Sequence, residues 1–179
     1  MTFPTYLTIL RIVLAIIFSV FASLPDVSFA RPVALVIFIV AALTDKIDGH
    51  LARKNKQVTT LGAFLDPIAD KMLVSLAFLI LVYQNIVPLW VFAVILIRDL
   101  AVDGLRMLAS SQKKVIAASF AGKFKTTLQM IALIIIQFGL VFPSDFIRIT
   151  GNIFLYAALL LTIYSAIEYF YKNRKILTK

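Results

Sequence analysis

Six apolar runs, each close to the roughly 20 residues needed to cross a hydrocarbon core, dominate this chain and leave little of it for anything else. They fall at about 7–24, 32–52, 62–83, 86–109, 119–142 and 147–171. Inside a bilayer every backbone N–H and C=O must be bonded within the protein, a condition a helix meets on its own. The expected fold class is therefore all-α: a polytopic membrane protein, a six-transmembrane-helix bundle, formed as one domain over residues 1–179. Composition agrees, with 61% hydrophobic residues and a mean hydropathy of +0.98, well above the roughly 45–50% apolar content of soluble domains.

The connections between runs alternate in charge. The second carries Arg53, Lys54 and Lys56, the fourth Lys113, Lys114, Lys123 and Lys125, and the tail Lys172, Arg174, Lys175 and Lys179. The others hold only Arg31 and Arg148 as cations, each with an aspartate nearby. By the positive-inside rule, an even number of spans then puts both termini in the cytoplasm. The same rule accounts for the net charge of +9, so no nucleic acid is expected as a partner. The N-terminal run lacks a charged n-region and a cleavage site, and reads as a first span, not a removed signal. Cysteine is absent and His50 is the only imidazole. Disulfides, thiolate metal sites and cysteine nucleophiles are excluded, and any metal has to be held by oxygen. Pro67 and Pro88 are read as lying near helix starts, where proline costs least, and Gly104 as a mark of close packing, in preference to a bend, inside the fourth span.

Four of the nine acidic residues fall between Asp45 and Asp70. Asp48, Gly49, Ala52 and Arg53 follow Asp45 at spacings of three, four, seven and eight, along one face of a helix. Gly62, Asp66 and Asp70 repeat every four residues on the next span, and the short connection makes the two spans antiparallel neighbours. Four carboxylates then converge near the cationic end of the bundle. Unpaired, they would repel one another and lose hydration. A hard divalent cation removes both objections; all-oxygen ligation suits Mg²⁺, Mn²⁺ or Ca²⁺. Four aspartates suit two ions sharing a carboxylate, the arrangement that clamps attacking and leaving oxygens in phosphoryl-type displacement. Gly49 and Gly62 let a bulky ligand approach the backbone, and Arg53 stands where it would meet a phosphate. Asp45 beside Lys46 and Asp70 beside Lys71 also suit a plainer reading, as solvated helix ends.

The pattern Asp45-x-x-Asp48-Gly49-x-x-Ala52-Arg53, eight residues, Gly62-x-x-x-Asp66-x-x-x-Asp70 resembles the full signature of the CDP-alcohol phosphotransferases, with every fixed position present. The resemblance implies a six-helix membrane enzyme, usually a homodimer, that displaces CMP from a CDP-linked lipid with an alcohol hydroxyl. It implies two Mg²⁺ or Mn²⁺ ions held by Asp45, Asp48, Asp66 and Asp70, with Asp70 as the catalytic general base. It further implies a CDP-binding pocket formed by Asp48, Gly49, Ala52, Arg53 and Gly62.

The acceptor has to be read elsewhere. IRDLAVDGLR supplies Arg98, Asp99, Asp103 and Arg106, and GKFKTTLQM supplies Lys123, Lys125, Thr126, Thr127 and Gln129. Cations and hydroxyls beside the aspartates suit a phosphorylated acceptor better than choline. These two segments and PTYLTILR look like those of bacterial family members that use CDP-diacylglycerol and glycerol 3-phosphate, so the resemblance covers nearly the whole chain. By that likeness Thr8, Arg11, Arg98, Arg106, Lys123 and Lys125 are candidates for the acceptor's phosphate, and the expected location is the bacterial cytoplasmic membrane, with the active site facing the cytoplasm. Two departures stand out. Asp99 takes a place where glutamate is common, and Asp103 puts a negative charge where threonine or serine is usual, unless Arg106 one turn later neutralises it.

Rival readings stay in view. Another polyol phosphate, such as inositol phosphate, keeps the chemistry and changes the acceptor. An intramembrane prenyltransferase also uses aspartates and Mg²⁺ but lacks the Gly-x-x-Ala-Arg element. A divalent-cation transporter would place its carboxylates near the bilayer midplane, whereas these follow thirteen residues, PVALVIFIVAALT, and adjoin the cationic loop. Arg11 also suits a snorkelling role, and Tyr164, Tyr169, Tyr171 and Trp90 are read as interface anchors.

Overall fold

The computed structural model describes the backbone of residues 3–24, 26–55, 60–112, 114, 116 and 119–177, and the side chains of 5–24, 26–44, 65, 68, 69, 71–112, 114, 116 and 119–174. Among them are six helices and no strand: α1 (Phe3–Ala22), α2 (Ala30–Asn55), α3 (Thr60–Tyr83), α4 (Leu89–Ser111), α5 (Phe120–Val141) and α6 (Asp145–Leu177). Thr5–Ala22, Phe120–Val141 and Asp145–Arg174 are each long and apolar enough to cross a membrane. The apolar parts of α2 and α3 among the described residues are shorter, Ala30–Thr44 and Lys71–Tyr83. α4 interrupts its own apolar run with Arg98, Asp99, Asp103 and Arg106 in its second half.

The protein is inside out by the standard of soluble folds. Arg11, Thr162 and Ser165 are 0% exposed, while Ile97 and Leu160 are exposed to 66% and 68%. Water would penalise both halves of that distribution; lipid penalises neither, because the apolar surface meets apolar solvent and the polar groups find partners inside. α1 shows the pattern most plainly. Thr5, Thr8, Arg11, Ala15, Phe18 and Ala22 are buried, a stripe at helical spacing, and Leu10, Val13 and Ile17 are exposed on the other faces.

The helices alternate in direction. Gln84, just past α3, donates to the Ala22 carbonyl at the end of α1, 2.8 Å. α4 and α6 run in the same sense, since Arg98 reaches Ser165 and Arg106 reaches Tyr169. Most buried polar residues among those described fall in the first halves of α1 and α5 and the second half of α6, which brings them to one end; Gln137, in the second half of α5, is the exception. The other end is packed by Phe18, Phe38, Phe78, Leu81, Val91 and Leu133. α1 lies against both α2 and α3, and α5 packs along α6.

Glycine sets the α5–α6 contact. A Cβ at Gly151 would stand 2.8 Å from Cγ1 of Ile136, and one at Gly139 would stand 3.1 Å from Cγ2 of Ile147. Each glycine therefore admits an isoleucine of the partner helix. Gly104 does not belong with them: among the described residues, a Cβ there meets nothing within 4 Å, so the close packing expected of it is not found there.

The two proline expectations divide: Pro88 stands at a helix start, as expected, and Pro67 does not. Pro88 is the N-cap of α4, in extended backbone, and follows a turn in which Asn85 adopts φ 57° while the Ile86 amide reaches back to the Leu81 carbonyl, 2.9 Å. Asparagine tolerates that left-handed geometry better than most residues. α4 thus begins at Leu89, not 86. Pro67 lies inside α3, two turns beyond Thr60, where it cannot donate to the Ala63 carbonyl. α3 starts earlier than the apolar run because Thr60 and its neighbours continue the helix ahead of that proline.

Candidate active site

α2 continues without a break to Asn55, so Asp45, Asp48, Gly49, Ala52 and Arg53 all lie in helical backbone. Gly62, Asp66 and Asp70 do so in α3. The two helices touch, and the spacings read from the sequence keep each set on a single helical face. The side chains of these residues lie outside the described residues, as does that of His50. The four candidate aspartates offer carboxylate oxygen alone, a chemistry that suits a hard divalent cation better than a soft one.

Beside them, α4, α5 and α6 build a connected polar cluster. Nη1 of Arg98 donates to Oδ1 of Asp99, 3.0 Å, and Nζ of Lys125 donates to the same oxygen, 2.5 Å. Nη2 of Arg98 donates to Oγ of Ser165, 2.8 Å. The Ser165 hydroxyl spends its own proton on the Thr162 carbonyl, 3.1 Å, so its oxygen is free to accept. Among the described residues, Nε of Arg98 is buried without a partner. Asp99 thus draws two cations together, at a place where Lys125 is only 3% exposed. Paired cations this far from bulk water suit an anionic ligand better than a neutral or cationic one.

Gly122 closes this corner. Its amide donates to Oγ of Ser119, the N-cap of α5, 3.0 Å, and a Cβ on it would stand 3.2 Å from that oxygen and 3.8 Å from Nη2 of Arg98. Glycine keeps the start of α5 against the arginine.

The remaining acceptor candidates divide. Arg106 is exposed and donates through Nε to the Tyr169 hydroxyl, 2.9 Å. Lys123 is exposed on α5. Thr8 is 3% exposed and Arg11 0%, on the inner stripe of α1; Arg11 does not snorkel. Thr126 and Thr127 are exposed and turn their hydroxyls back to helix carbonyls.

Asp103 pairs with Lys71 of α3, not with Arg106. The partner comes from another helix, the residue directly after Asp70, and it neutralises the charge that looked awkward in the sequence. Asp99 does hold Arg98. Tyr169 departs from its reading as an interface anchor: it is 3% exposed and packed with Val102, Leu105 and Ala109, while Tyr164, Tyr171 and Trp90 are exposed.

Sequence reasoning missed Ser165, Tyr169 and Lys71. Ser165 had a signal, a hydroxyl in the middle of an apolar run, and the hydroxyl of Tyr169 had none, since an aromatic near a span's end reads equally well as an anchor.

A model of the CDP-alcohol phosphatidyltransferase family matches residues 1–164. Relatives extend over almost the whole chain. A Bacillus subtilis (strain 168) protein named CDP-diacylglycerol--glycerol-3-phosphate 3-phosphatidyltransferase is 36% identical, over 95% of this chain and 94% of its own. Proteins of the same name from Sodalis glossinidius and Haemophilus influenzae are 39% and 40% identical, over 96% and 93% of this chain and 94% and 90% of theirs.

Proposed function

This chain belongs to the CDP-alcohol phosphatidyltransferase family, and from that premise we propose that it transfers the phosphatidyl group of CDP-diacylglycerol to sn-glycerol 3-phosphate, giving phosphatidylglycerophosphate and CMP. One observation carries the choice of acceptor. Asp99 gathers Arg98 and Lys125 into one corner, with Lys125 only 3% exposed, in a chain whose relatives of near-equal length bear the name of that activity.

In this reading the acceptor's phosphate rests among Arg98, Arg106, Lys123 and Lys125, with Thr8 and Arg11 beneath. Asp70 takes the proton of the attacking hydroxyl as its oxygen bonds to the phosphorus esterified to diacylglycerol. The bond from that phosphorus to the bridging oxygen breaks, and CMP departs with the oxygen. Gly49, Ala52, Arg53 and Gly62, with Asp48, cradle the CDP moiety. Two Mg²⁺ or Mn²⁺ ions, held by Asp45, Asp48, Asp66 and Asp70, would supply the positive charge that stabilises the diphosphate and the leaving CMP. The six helices are all spans, both termini and the site face the cytoplasm of a bacterial inner membrane, and the enzyme works as a homodimer; alternating helix direction and the cationic connections support the first part, and the family resemblance the second.

The test is product identification. Purified protein with CDP-diacylglycerol and Mg²⁺ or Mn²⁺ is offered glycerol 3-phosphate and inositol phosphate in one assay. Phosphatidylglycerophosphate and CMP in equal amounts are expected. Preferential use of inositol phosphate would reassign the acceptor, and no CMP from any alcohol would overturn the reaction class.

A further inference from the structure

Of the three basic side chains that α4 and α5 bring to the acceptor corner with defined partners, Arg98 and Lys125 are committed inward. Arg98 spends both Nη groups on Asp99 and Ser165, and Lys125 is held by Asp99. Arg106 differs. Among the described residues it gives only Nε away, to the Tyr169 hydroxyl at 2.9 Å, and its guanidinium carbon lies 5.6 Å from the centre of the Tyr169 ring. Tyr169 is itself fixed, 3% exposed, in a small apolar cluster with Val102, Leu105 and Ala109. An arginine offers a phosphate two parallel N–H groups either from its Nε edge or from its Nη edge. With Nε taken, the Nη edge is the one left, and the exposed side chain keeps that edge outward with less rotational freedom to lose on binding.

We propose that Tyr169 is a positioning residue for Arg106, orienting its Nη edge toward the phosphate of the acceptor. The family model ends at residue 164, so this function falls to a part of α6 that lies beyond the match. Ser165 stands one turn earlier on α6 and holds Arg98; the same helix face therefore backs both arginines. The inference rests on the phosphorylated acceptor proposed above.

The experiment is a double-mutant cycle on the full chain, with Tyr169→Phe, Arg106→Gln and the pair, each assayed for CMP release while glycerol 3-phosphate and CDP-diacylglycerol are varied in turn. Tyr169→Phe keeps the ring and its packing and removes only the hydroxyl. It should raise KM for glycerol 3-phosphate about five- to tenfold, the scale of one ordinary net hydrogen bond, and leave kcat and KM for CDP-diacylglycerol within about twofold of wild type. In the Arg106→Gln background the same substitution should change nothing further, because its effect passes through the arginine. An unchanged acceptor KM, or an equal loss in both backgrounds, would overturn the positioning role. Wild-type protein that turns over with a different acceptor and ignores glycerol 3-phosphate would instead remove the functional reading, and this inference with it.

Discussion

Oδ1 of Asp99 accepts from both Arg98 and Lys125, so one oxygen holds two cations from two helices. Asp99→Asn keeps the shape and removes a charge that the almost fully buried Lys125 ammonium is paired with. A loss of about 3 kcal/mol is expected, read as a lower unfolding temperature in detergent, with Asp99→Glu retaining most of the stability. A variant as stable as wild type would mean that solvent or lipid already neutralises this corner. Asp70→Asn makes the opposite prediction: CMP release falls at least about a hundredfold while the unfolding temperature stays close to wild type. Side-chain partners were legible in the sequence only where they are neighbours along the chain. Asp99 beside Arg98 could be read directly. Asp103 could not, because a local reading offers Arg106 one turn away and the true partner, Lys71, arrives from another helix. The Tyr169 hydroxyl was hidden for the same reason.

At the scale of the element, hydropathy locates all six helices, because continuous apolar runs in lipid have few alternatives to a helix. What it leaves open is where each one stops and how closely they meet. α6 runs to Leu177, beyond the apolar stretch, since charged residues such as Glu168 and Lys172 pair at i,i+4 and sustain it. Glycine within a helix carries no mark of its purpose; only the neighbour across the gap decides. Gly151→Ala should cost about 1–3 kcal/mol by forcing Ile136 aside, seen as earlier thermal unfolding. Gly104→Ala, whose Cβ meets no atom of the described residues within 4 Å, should be neutral or stabilising by up to about 1 kcal/mol. If Gly104→Ala instead weakened the protein, another subunit would have to cover that face.

The whole molecule separates two environments. Apart from Gln137, its buried polar residues among those described lie toward the end where α1, α3 and α5 begin, and its apolar packing lies toward the other. The aspartate helices could be assigned to the polar end from spacing and loop charge alone, whereas the buried positions of Arg11 and Ser165 depend on helices packing far apart in sequence. Because the chain has no cysteine, single cysteines report sidedness cleanly. Lys114→Cys should react with a membrane-impermeant maleimide only in inside-out vesicles, and Asp26→Cys and Ser144→Cys only in intact cells whose outer barrier has been opened. Reaction of all three from one side would refute the alternating arrangement. α1 carries a further consequence, for biogenesis. It leaves the ribosome ahead of every helix that later encloses Arg11, so for a time that guanidinium faces lipid or translocon, at a cost of about 2.5–3.5 kcal/mol if it sits centrally. The outward Leu10, Val13, Ile16 and Val20 have to carry α1 into the membrane on their own, and the enclosure of Arg11 then becomes a reason for the later helices to assemble around it.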